Sequence, residues 1–116
     1  MTKSELSKLL HQVGVPVNEG VTSQEHINEY PRIVYWPYIE QDKTASGDEY
    51  YNQVTYQISV FARTPQCEAY QRLRALLREQ KVYPVFYHEY VENDPYYART
   101  WHTYCAVEVT EEIENE

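Results

Sequence analysis

From Val54 to Val60 apolar and polar residues alternate without a break: Val54, Tyr56, Ile58 and Val60 take one side of an extended backbone, Thr55, Gln57 and Ser59 the other. A helix would scatter that pattern around its axis, whereas a strand sorts it into one dry face and one wet face. The chain must therefore build a sheet and cover one side of it. Tyrosine makes up 13 of the 116 residues and phenylalanine only 2, so most aromatic rings carry a hydroxyl that has to reach water or a partner. Such a composition favours wet-faced sheets and contact surfaces over an apolar catalytic cavity.

The flanking segments supply the cover. Thr2 to Glu5 has the form of a capping box, and Leu6, Leu9, Leu10 and Val13 follow at helical spacing, which predicts a helix to about Val13 with Gly14 at its left-handed end. Val15 to Tyr30 has no sustained period and reads as a loop, with room for one short strand near Val15 to Val17. Pro31 to Trp36 reads as a short strand ended by Pro37, and the polar, turn-rich Ile39 to Glu49 as an exposed hairpin arm. Thr64 and Pro65 form an N-cap and first helical position. Ala69, Tyr70, Leu73, Leu76 and Leu77 then gather on one stripe, opposite Gln71, Arg74 and Arg78, and the helix is expected to end near Gln80 or Lys81. Val85 to Glu92 and Arg99 to Val109 form a last strand pair, turned through Asn93, Asp94 and Pro95. The expectation is a single α+β domain over residues 1–110 in the order αββαββ: a mainly antiparallel four-stranded sheet with two helices on one face. Residues 111–116 are expected to be a disordered acidic tail.

A chain of 116 residues suffices for one core without staples. Cys67 and Cys105 lack any Cys-x-x-Cys spacing, which points to a reduced intracellular protein, and no stretch approaches the about 20 apolar residues that span a bilayer. The net charge is −8, half of it from the tail, and no Lys/Arg run exists to neutralise phosphates, which argues against tight nucleic-acid binding.

Candidate chemistry is sparse. His88, Glu89, Glu92, Asp94 and His102 suggest a metal site across the last hairpin, yet a strand turns His88 and Glu89 to opposite faces and no ligand spacing fixes a coordination shell. Cys67 opens a helix on the arginine side, where a thiolate would be favoured, but it has no histidine partner. Cys105 alternates in phase with Trp101 and Val107 and reads as core. Asp48 and Glu49 flank a solvated loop, and Gly14, Gly20 and Gly47 are too dispersed to cradle a phosphate. No catalytic, cofactor-binding or metal-binding residue is assigned. The remaining candidates are contact residues of the types enriched at interfaces, with three charged residues of the arm: Tyr35, Asp42, Lys43, Asp48, Tyr50, Tyr51, Arg63, Arg74, Arg78, Tyr96 and Tyr97.

The order of pieces resembles a known group. Pro31 to Tyr35, a polar arm, Tyr56 to Phe61, a helix opening at Thr64 and Pro65, and a final Tyr- and Trp-containing hairpin are similar to the small tail-completion proteins of long-tailed phages and prophages, the tail terminators and tail-to-head joining proteins. The resemblance implies a non-enzymatic structural subunit, made in the host cytoplasm and incorporated in the virion. It implies a ring, commonly a hexamer, that caps the tail tube and meets the head connector, with the Ile39 to Glu49 arm touching neighbours or tube. DNA would pass an acidic lumen without specific binding. The competing reading is a small acidic inhibitor or antitoxin-like module steered to a basic protein surface. An enzyme acting through His88 or Cys67 is the third.

Overall fold

The computed structural model describes residues 1–20, 29–44, 50–91 and 100–112. The fold is α+β, one mixed sheet of five strands and two helices, in the order α1 (Lys3–Gln12), β1 (Val17–Glu19), β2 (Arg32–Thr44), β3 (Tyr50–Ala62), α2 (Glu68–Glu79), β4 (Tyr87–Val91) and β5 (Thr100–Glu112). Across the sheet the strands run β1-β2-β3-β5-β4. The additional strand is β1, which pairs parallel with β2 through Val17 opposite Ile33, while all other pairings are antiparallel. Its three residues are too few to alternate visibly, which is why the expectation of four strands falls short.

The helix ends follow their local chemistry. Thr2 Oγ1 accepts the Glu5 N–H at 3.2 Å, and Gly14 takes φ +89° just past α1. At the far end of α2, Lys81 adopts φ 59° while the Lys81 and Val82 N–H groups return to the carbonyls of Arg78 and Leu77, both at 2.9 Å. That is a Schellman closure made without glycine. The start of α2 departs from expectation. Gln66 sits at φ 49°, so the turn opened by Thr64 and Pro65 cannot propagate, and Cys67 becomes the N-cap with extended backbone.

The core lies between the helices and the Val54–Ile58 side of β3. Leu6 and Leu10 of α1, Val13 at its C-cap, and Leu73 and Leu77 of α2 meet Ile33 and Tyr35 of β2, Val54, Tyr56, Ile58 and Val60 of β3, and Cys105, Val107 and Val109 of β5. Each fully buried aliphatic side chain contributes about 1.5–3 kcal/mol of hydrophobic stabilisation. Arg72 locks the helix pair by donating to the Val13 carbonyl at 3.1 Å.

The arm is strand. β2 passes through Pro37, where an irregularity in register between Pro37 and Ile39 leaves Tyr38 unpaired, and the ladder with β3 then continues to Thr44 opposite Tyr50. Pro37 does not end the strand because the bulge supplies the place in which a missing N–H is tolerated. The bulge also exchanges the faces. Before it Ile33 and Tyr35 point at the helices; after it Glu40 pairs with Val54 and Asp42 with Asn52, so these carboxylates take the helix side. β5 runs alongside to Glu112, so residues 111 and 112 belong to the sheet, and only 113–116 of the expected tail lie outside the described residues. The molecule measures 56 × 27 × 22 Å.

Candidate interaction surfaces

Three described surfaces carry side chains that the fold does not use for its core. The first is the face of the sheet away from the helices. Phe61 of β3 stacks on His102 of β5 at 4.7 Å and 5°, His102 on Tyr104 at 4.7 Å, and Tyr104 on Tyr87 of β4 at 5.3 Å. Arg32 extends the row, its guanidinium 4.9 Å from the Phe61 ring and 4.5 Å from that of Tyr30, and the Arg63 guanidinium lies 4.6 Å from the Tyr30 ring as well. Burial by itself pushes the Tyr30 hydroxyl up, but hydrogen bonds with Arg32 and Thr100 and the charges of Arg32 and Arg63 outweigh it and hold the group below its ordinary value. Within the row the stacked rings cover one another's faces, and Tyr87 on the edge strand, 56% exposed, ends it.

Beneath this row runs a polar chain. Glu89 Oε1 lies 2.8 Å from His102 Nδ1, His102 Nε2 lies 2.8 Å from Ser59 Oγ, and Gln57 Nε2 donates to that hydroxyl at 3.3 Å. An acid, an imidazole and a serine in this order share the connectivity of a hydrolase triad. Here Ser59 is 0% exposed in the middle of a regular strand, and β3 is paired on both sides, so its amides are committed to the ladders and no oxyanion site adjoins the hydroxyl. The chain satisfies a buried serine. It also corrects the expectation that histidines and carboxylates on this hairpin stay apart: Glu89 and His102 share a face because they are register partners. His88 does lie on the other face, against Thr103 Oγ1 at 2.9 Å and the Tyr70 ring. Among the described residues no group of three His, Cys, Asp or Glu side chains is placed to hold a metal ion.

The second surface is the outer side of α2, an open depression of about 720 Å³ whose rim carries Gln71, Arg74 and Arg78, with Glu79 at the end of the helix. The third is the arm beyond the core, where Asn52 Nδ2 donates to Glu40 Oε1 at 3.2 Å and to Asp42 Oδ1 at 3.1 Å and holds the two carboxylates side by side. The segment before β4 alternates outward: Tyr83 is 72% and Val85 66% exposed, continuing into Tyr87 on the sheet edge opposite β1 and β2.

The contact candidates divide accordingly. Tyr35 is not surface but core, 5% exposed and 5.9 Å from the Tyr56 ring. Ile33 to Trp36 is apolar in both phases, so alternation cannot tell its inner from its outer side. Asp42, Arg63, Arg74 and Arg78 are exposed, and Lys43 and Tyr51 are half-buried on the far side of the arm. Asp48, Tyr96 and Tyr97, with the side chain of Tyr50, lie outside the described residues, as do Glu92 and Asp94. Glu40, Tyr83, Tyr87, Tyr104 and Phe61 were missed. The alternation around Tyr83, Val85 and Tyr87 could have found three residues of the β4 edge; Glu40 depends on a bulge without a sequence signature. No helix among the described residues is long and apolar enough to cross a membrane. Neither a protein-family model nor any curated protein matches the chain.

Proposed function

We propose that this chain is a non-enzymatic assembly subunit, a tail terminator or head-to-tail joining protein of a phage or prophage that forms a ring at the end of the tail tube. The observation that carries the reading is the β2–β3 arm, whose well-paired ladder runs on to Thr44 opposite Tyr50 and leaves Glu40, Gln41, Asp42 and Thr44 of β2 exposed. A polar strand that the rest of the described chain leaves uncovered is suited to touching another. The exposed apolar edge at Tyr83, Val85 and Tyr87 supports the same reading, since tyrosine-rich exposed strands suit contact with a neighbour.

On this reading the partners are copies of the chain, the tail tube and the head connector, with DNA passing through a mildly acidic lumen that does not hold it. Light scattering and negative-stain images of the purified protein, alone and with tail tubes, test the reading. Rings in solution, or density added at one end of the tubes, are expected. A protein that stays monomeric and leaves the tubes bare at tens of micromolar would sink the proposal.

A further inference from the structure

We infer that, in the ring, the outer side of α2 of each copy receives the arm of its neighbour, with Arg74 and Arg78 pairing to Glu40 and Asp42. The inference rests on the ring reading above and names the two surfaces that would close it.

Complementarity of charge and spacing carries it. Arg74 and Arg78 are exposed, one helical turn apart, and form no ion pair among the described residues, unlike Arg72, which is held by Glu68 at 2.7 Å and by the Val13 carbonyl. Positions i and i+4 of a helix are separated by about 6 Å along its axis. Glu40 and Asp42 stand at i and i+2 of a strand, about 6.7 Å apart, on the same face of the sheet. The two pairs therefore match in sign and in pitch. Asn52 already fixes the carboxylates through one donor to each, which leaves the other oxygens of both groups free to accept from guanidinium forks.

The arm also has the place for a helix. Among the described side chains Val54 and Val109 are the last buried ones on the helix side of β3 and β5, and the Met1 carbonyl accepts from Thr110 N at 3.1 Å, which places the start of α1 at that level. Glu40, level with Val54, and Asp42, opposite Asn52 one step further on, are exposed on the side from which the chain's own helices cover the sheet. A neighbour's α2 would continue that layer. Lys43 does not oppose the contact, because it pairs with Tyr51 and takes the other face. The two surfaces are different parts of the chain, so the contact is head-to-tail, the kind that closes into rings.

Charge reversal tests the pairing. R74E/R78E and E40R/D42R, all at exposed positions, should each leave the circular dichroism spectrum unchanged and weaken association about tenfold or more in apparent dissociation constant. An equimolar mixture of the two variants should recover rings, since each then offers the charge that the other lacks, and so should the four substitutions combined in one chain. If a reversed variant loses its fold, R74Q/R78Q and E40Q/D42N take its place, with weakened association expected for each. Rings of wild type that are insensitive to both reversals would overturn the pairing and leave the ring reading standing. Variants that stay apart when mixed would also overturn the pairing. A wild-type chain that never associates, alone or with tail tubes, would remove both.

Discussion

Ser59, His102 and Cys105 show how the environment decides what a reactive side chain can do. His102 is held between Glu89 and Ser59 and stacked on Phe61 and Tyr104, so it ties β3, β4 and β5 together across the sheet. His102→Ala removes those stacks and two hydrogen bonds at once, and urea unfolding should read a loss of about 1–3 kcal/mol. Cys105 is almost wholly enclosed, and burial pushes its thiol up to about 12. At pH 8 a thiol reagent should therefore modify the half-buried Cys67 in the native protein and reach Cys105 only in denaturant. Equal rates for both would mean that the β5 side of the core opens readily.

Elements are set by a few residues whose backbone needs are specific. Thr2→Ala removes the only side-chain acceptor at the start of α1 and should cost about 1 kcal/mol in thermal or urea unfolding. Gly14→Ala is expected to cost more than about 1 kcal/mol, because φ +89° strains any L side chain there and the new methyl would sit 3.4 Å from Arg72 Nη1. Tyr38 is left unpaired between Pro37 opposite Tyr56 and Ile39 opposite Thr55. Deleting it would join two residues whose partners are already consecutive, so the ladder becomes regular while Glu40 and Asp42 stay on the helix side. The deletion variant should remain folded and keep the association that E40R/D42R is expected to weaken, which sedimentation velocity checks.

At the scale of the molecule, the body is 56 Å long, and on the proposed reading the part of the sheet that its helices leave uncovered would receive a neighbour. Truncation after Glu112 keeps β5 complete against Asn52 and Tyr51 and removes the last acidic residues. The truncated protein should assemble as the full chain does; the inhibitor reading requires instead that binding to a basic partner fall sharply. Sedimentation velocity in low and high salt separates the two.

The parts that local rules govern were legible in the sequence: α1 from its capping box and leucine spacing, β3 from strict alternation, and the α2 stripe from its 3.6-residue period. So was the sorting of His88 from Glu89, which follows from the strand period alone. What only the tertiary structure decided depends on register, which no short segment carries. Tyr35 became core because β2 pairs it with Ile58; Glu89 met His102 because β4 and β5 align them; and Glu40 joined Asp42 on the helix side because the ladder absorbs one residue at Tyr38. A strand's pattern states that it has two faces. Which residues share a face with another strand is settled only when the strands pair.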